Sequence, residues 1–202
     1  DGMPGDKRTK NGSAIAEFVG RLPGLAVGDF SPSSQFDLLL AELSHVEWEL
    51  PEGFDDLSFH TFGFGGRQWR PKKNSRLAVI SPFIRPKALE LLAKTSDSPI
   101  ALVSRAESLA ELGPTKLFRS SYVLHDAAET EDGEDHKGEG SAIGLHAKVY
   151  VYQIADRTHI ALGSPNASDA ALIADLNVEI LAELSGPSYK VGAVSKLFDP
   201  DA

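Results

Sequence analysis

The 202-residue chain contains no cysteine, which excludes disulfides and thiolate metal sites. That absence is compatible with the cytosol, and a cytoplasmic location is the expectation. No apolar run approaches the roughly 20 residues that span a bilayer, and no signal-peptide pattern opens the chain. Nor is an amphipathic anchor helix visible, so stable membrane association is not expected. Positive charge is scarce, with 20 Lys and Arg against 29 Asp and Glu and a net charge of −9. A dedicated nucleic-acid binder ordinarily presents a basic face, which this balance does not suggest. Much of the excess is local, however. Asp126, Glu129, Glu131, Asp132, Glu134, Asp135 and Glu139 crowd one stretch, and like-charge repulsion makes 126–140 a solvated loop. Internal repeats are absent too, so any motif the chain carries occurs once.

What is present reads as one α/β domain with a polar N-terminal addition. Roughly the first ten residues look disordered and consistent with a piece of a longer polypeptide. Residues 14–22 and 34–43 have helical apolar spacing, and 45–50 and 57–64 alternate as strands. From residue 76 the pattern becomes regular. Short apolar strands at 76–81, 99–104 and 120–124 alternate with helices at 86–94 and 106–112. Strands follow at 144–152, 159–164 and 177–184, with helices at 166–174 and 189–198. Such alternation predicts a mixed, largely parallel sheet flanked by helices on both faces. The expected division is an N-terminal extension, 1–70, packed on a core domain, 71–202.

One constellation carries chemistry. In an extended strand, residues two apart share a face, so His146 and Lys148 project side by side, roughly 7 Å apart at Cα. An imidazole beside an ammonium suits a phosphate: the ring attacks phosphorus or donates a proton, and the cation offsets charge on the oxygens. Gly163-Ser164-Pro165-Asn166 ends the next strand and opens a helix, offering a hydroxyl, a carboxamide and main-chain donors. Glu179, mid-strand, is placed to orient a histidine through Nδ1–H. On its own, H-x-K reads as the polar face of an exposed strand; G-S-x-N on the adjacent strand is what singles it out.

The order H-x-K then G-S-x-N resembles the signature of the phospholipase D superfamily, over roughly residues 76–186. His146, Lys148, Gly163, Ser164 and Asn166 match that motif; Gln153 stands at its acidic position, the spacer is longer, and Asp156 follows in a turn. Glu179 resembles the acid that follows the motif in the nuclease branch. The resemblance implies a phospholipase D-like fold and a phosphodiester hydrolase needing neither metal nor cofactor. One histidine forms a phosphohistidine, and the other serves the leaving oxygen and then water. With one motif per chain, it implies a homodimer that completes the site, or a partner half elsewhere in a longer parent, with DNA or RNA as substrate. The alternatives are a phospholipase or phosphatidyltransferase, and a catalytically silent module for nucleic-acid binding or dimerisation.

Further candidates lie at strand ends, where open α/β sheets place their sites. Ser81 and Arg105 are taken, with Gly163, as substrate-binding, although Ser81 also reads as a turn residue. His159 reads as solvent-facing or locally packed. His125 and His136 lack metal-ligand spacing. Residues 63–67 read as a flexible turn rather than a phosphate loop. The acidic run, beyond a solvated loop, could act as a flap over the cleft.

Overall fold

The computed structural model describes residues 2–28, 31–66, 68–123 and 146–198. The apolar runs that read as buried strands pair in the centre of a seven-stranded sheet. Its strands are β3 (Asp56–Phe62), β4 (Arg76–Ile80), β5 (Pro99–Ser104), β6 (Ser120–Val123), β7 (Val149–Ile154), β8 (Arg157–Gly163) and β9 (Glu179–Pro187). The order across the sheet is β3-β9-β8-β7-β4-β5-β6. The mixed sheet flanked by helices is as expected, but the balance of directions is not. Only β4–β5 and β5–β6 run parallel; β3–β9, β9–β8, β8–β7 and β7–β4 are antiparallel. The reason lies in the connections. Helices α3 (Pro86–Ala93) and α4 (Ala106–Leu112) are long enough for parallel crossovers, whereas a two-residue turn at Ala155-Asp156 joins β7 to β8. The helix expected at 166–174 is only α5 (Asp169–Leu172), too short to carry a strand back in parallel.

Side-chain parity divides the sheet into two faces. On one, Phe62, Leu77, Val79, Leu102, Tyr150, Tyr152, Ala161 and Leu181 form a core with Leu89 and Leu92 of α3, Leu172 of α5 and Trp69. On the other, Ala78, Ile100, Ala101 and Val151 pack on Val194. Val194 opens α7 (Val194–Leu197), which follows α6 (Ser188–Val191). Gly192, at φ 108°, splits what the sequence predicts as one closing helix.

The N-terminal region differs from expectation in two respects. Residues near the start are ordered: β1 (Gly2–Pro4) pairs with β2 (Val46–Trp48) in a separate two-stranded sheet. Thr9 caps α1 (Lys10–Arg21), its hydroxyl oxygen accepting from Gly12 N at 2.9 Å and its proton reaching Val46 O at 2.7 Å. Helix α2 (Ser34–Leu43) packs on α1. Moreover β3, inside the stretch assigned to an extension, is an edge strand of the main sheet, so the join falls before Asp56 rather than at 70. Among the described residues no helix is long and apolar enough to cross a membrane.

Candidate active site

The topology gathers the C-terminal ends of β4, β5 and β8 with the N-terminal ends of β7 and β9 at one end of the sheet. His146, Lys148, Gly163, Ser164, Asn166, Glu179, Ser81 and Arg105 lie there. His146 and Lys148 sit just before β7, which begins at Val149 rather than at 144, but their alternation survives. Lys148 O accepts from Gly163 N at 3.2 Å, continuing the β7–β8 pairing. The Lys148 Nζ lies 2.9 Å from His146 Nε2. An ammonium only donates, so Nε2 accepts and the ring proton belongs on Nδ1. His146 is exposed while Lys148 is 8% exposed, so the charge is sunk and the ring is open to solvent.

The G-S-x-N turn is fixed from below. Buried Tyr150, on the same face as Lys148, donates its hydroxyl to Pro165 O at 2.9 Å. Ser164 Oγ accepts from Ile180 N at 3.1 Å, and Ser164 N donates to Ile180 O at 3.1 Å, so the serine extends the β8–β9 ladder. Its hydroxyl proton remains to donate. Gly163 is required by crowding: a Cβ there would lie 2.1 Å from Ile180 O. The close approach the sequence suggests is thus to β9.

Ser81 takes a different part from the one expected. It is fully buried, donates to Phe83 O at 2.7 Å and accepts from Ala167 N at 3.0 Å, with Asn166 Oδ1 at 3.5 Å. With Arg85 N on Ala167 O at 2.9 Å, it latches the G-S-x-N turn to the end of β4. Its hydroxyl therefore holds Asn166 in place and does not face an incoming ligand.

Charge converges on Lys148 from both sides. Burial pulls its ammonium below the ordinary lysine value; Glu179 pulls the other way, and Arg105 adds to the lowering. Glu179 is 9% exposed and accepts from Asn177 Nδ2 at 3.1 Å. Among the described residues it makes no hydrogen bond to His146, the partner the sequence assigns. β8 stands between β7 and β9, and Gly163 on it carries no side chain, so the carboxylate acts on Lys148 across that gap. Arg105, at the start of α4, lies over the Phe83 ring, 5.0 Å from its centroid.

The acidic position of the resembled motif falls outside this site. Gln153 is at the far end of β7, donating to Ala155 O at 3.1 Å, and Asp156 lies in the hairpin turn beyond it. Both lie at the opposite end of β7 from His146. His125, His136, Arg67 and the acidic run 126–140 lie outside the described residues.

Sequence reasoning missed a polar cluster on the same sheet face. Glu183 of β9 accepts from Tyr152 OH at 2.6 Å, His60 Nε2 at 2.9 Å, Trp69 Nε1 at 2.9 Å and His159 Nδ1 at 3.2 Å. Burial pushes its carboxyl up, but the bonds from His159, His60, Tyr152 and Trp69 outweigh it and hold it well below the usual carboxylate range. His159 stacks on Tyr152 with ring centroids 4.7 Å apart, so it points inward and not to solvent. Parity along β8 was the available signal, since His159 shares a face with buried Ala161. The 63–66 turn is also pinned: Asp175 accepts from Gly63 N at 2.5 Å and Gly65 N at 2.7 Å.

No protein-family model matches the sequence, and no curated protein does. Among solved structures the chain is similar to yeast tyrosyl-DNA phosphodiesterase, at 10% identity and TM-score 0.40, covering 63% of this chain and 31% of that one. For the SCAN1 mutant of that yeast enzyme the values are 12% and 0.35, over 56% of this chain and 26% of that one. NucT from Helicobacter pylori aligns at 13% identity and TM-score 0.35, over 64% of this chain and 86% of that one. The chain thus spans about a quarter to a third of the yeast protein's length. At TM-scores this low the likeness carries no argument for function, which rests on the residues themselves.

Proposed function

We propose that this chain supplies half of a phosphodiesterase site that cleaves nucleic acid, the other half coming from a second copy. The observation that carries this is the 2.9 Å contact between Lys148 Nζ and His146 Nε2 at the sheet end where Gly163-Ser164-Pro165-Asn166 also lies. A basic nitrogen lone pair, a buried cation, a hydroxyl proton and a carboxamide together meet the needs of a phosphoryl centre.

In the ligand-free geometry Lys148 donates to the nitrogen that would attack. An entering phosphate oxygen takes over that hydrogen bond and frees the Nε2 lone pair. Nε2 then forms a bond to phosphorus as the bond to the leaving oxygen breaks, and His146 of the second copy, which enters the step as an imidazolium carrying protons on both ring nitrogens, delivers its Nε2 proton to that oxygen. Water attacks next: the N–P bond breaks, and the water proton passes to the histidine of the second copy. Lys148, Ser164 and Asn166 offset charge on the non-bridging oxygens throughout. Glu179 keeps Lys148 charged despite burial, and Arg105 adds positive charge at the same strand end. No step calls for a cofactor.

The test is to quench the protein with a 5′-labelled oligonucleotide in the steady state and examine His146 by mass spectrometry under alkaline conditions. A phosphorylated or nucleotidylated His146 supports the reading. Turnover with an unmodified His146 at every time point refutes it.

A further inference from the structure

The crossover from β3 to β4 leaves a second feature on the site face. Residues 68–72 alternate in burial: Trp69 and Pro71 are buried, while Arg70 and Lys72 are exposed. Trp69 packs on Tyr150 with ring centroids 5.3 Å apart and is tied to Glu183 through Nε1. The segment is therefore anchored from beneath, and its two cations are held up on a fixed backbone. Beside it opens a hollow of about 930 Å³, lined by His60, Gln68, Trp69, Arg70, Lys72 and Thr95 among others.

Among the described residues the lining contains two cations and no acid, in a chain of net charge −9, and Asp175, bonded to Gln68 of the lining, is also engaged by Gly63 N and Gly65 N. Glu183, the carboxylate beneath the floor, already receives four hydrogen bonds. Asp97, close to Thr95 in sequence, is paired with Lys73 Nζ at 2.5 Å. The local field thus runs against that of the whole molecule, which is the condition for holding an anion. The size suits a nucleotide unit rather than a duplex. Position adds a constraint: His60 stands opposite Leu181, Leu181 opposite Gly163, and Gly163 N donates to Lys148 O. Three strand spacings, roughly 14 Å in all, therefore separate β3 at the hollow from Lys148 at the site, a span of a few nucleotides of one strand.

We infer that this hollow is a second phosphate site, in which Arg70 and Lys72 hold a backbone phosphate of a single strand whose scissile group lies at His146. The phosphate chemistry stands on the hollow itself; its assignment to a strand rests on the phosphodiesterase reading.

The experiment is fluorescence anisotropy of a labelled 12-nucleotide single strand on the full chain in EDTA, from 50 to 300 mM salt. Three variants are compared with the parent: R70E/K72E, the conservative R70K/K72R, and K10E/K116E, which makes the same charge change at exposed lysines elsewhere. The R70E/K72E change is expected to weaken binding at least tenfold and to flatten the slope of log K against log salt by about 0.7, the contribution of one neutralised phosphate on a single strand. R70K/K72R should keep the slope. Equal losses in R70E/K72E and K10E/K116E would overturn the inference, because net charge alone would then explain binding. Comparable affinity for AMP, lost in R70E/K72E, would overturn the strand assignment and give the site to a free nucleotide. Binding that depends on Arg70 and Lys72 without cleavage would leave this inference standing while the phosphodiesterase reading fell; cleavage with no such dependence would do the reverse.

Discussion

At the scale of single residues the account turns on the charge of Lys148. Its ammonium is held below the ordinary lysine value by burial, with Glu179 opposing and Arg105 reinforcing. A cation that must be protonated to work loses function as pH rises through its folded pKa. The alkaline limb of the pH–rate profile should therefore lie below the ordinary lysine value of about 10.4. Removing the Glu179 charge removes the contribution that raises Lys148, so Glu179→Gln should move that limb to still lower pH. A limb unmoved in the variant would show that Glu179 does not act through the lysine. The residues of this site were largely legible in the sequence, since H-x-K and G-S-x-N name groups whose spacing in extended chain fixes their direction. What was not legible is the commitment of individual hydroxyls. Ser81 is consumed by Phe83 and Ala167 because the G-S-x-N turn folds back onto the end of β4, a contact between residues about 85 positions apart that no local pattern encodes.

At the scale of elements, the site depends on how closely β8 and β9 approach and on what ties β3, β7, β8 and β9 together. Gly163→Ala places a methyl against a main-chain carbonyl that cannot swing aside, so the two strands must part. A loss of about 3 kcal/mol is expected, seen as a fall in melting temperature of about 10 °C for a chain of this size, with activity lost alongside. Glu183→Gln addresses the tie. The folded carboxyl is held below its unfolded value, so its stabilisation is complete above the ordinary value of about 4.3 and is lost as pH falls through the folded value. The variant should be about 2 to 3 kcal/mol less stable at pH 7. Its stability should also change less between pH 5 and pH 3 than the parent's, by urea denaturation at each pH. The elements were readable from apolar spacing. Strand direction was not, because a parallel partner and an antiparallel one bury the same side chains; what separates them is whether the connection carries a crossover helix. The four-residue α5 and the Ala155-Asp156 turn settle the matter, and both looked longer or looser in the sequence. The Glu183 cluster escaped notice for a related reason: its five members come from β3, β7, β8, β9 and the β3–β4 crossover, and only the register unites them.

At the scale of the molecule, the proposed site, with one motif in a 21.7 kDa chain, draws its second histidine from another copy. The fold class was visible from the alternation of strands and helices, but the join between the N-terminal region and the sheet was not, since β3 reads as an ordinary isolated strand until β9 is seen to pair with it. If two histidines from two copies act on one phosphate, mixing in an inactive copy should do more than dilute. With His146→Ala replacing the parent at constant total protein under conditions of subunit exchange, activity should fall as the square of the parent fraction. A linear fall would mean that each chain works alone. The measurement that bears most directly on the central claim is hydrolysis of a simple phosphodiester and of labelled single- and double-stranded DNA in EDTA, comparing the parent with His146→Ala. The account predicts turnover that survives chelation and drops at least about a thousandfold in the variant. Turnover that is equal in the two proteins would contradict it.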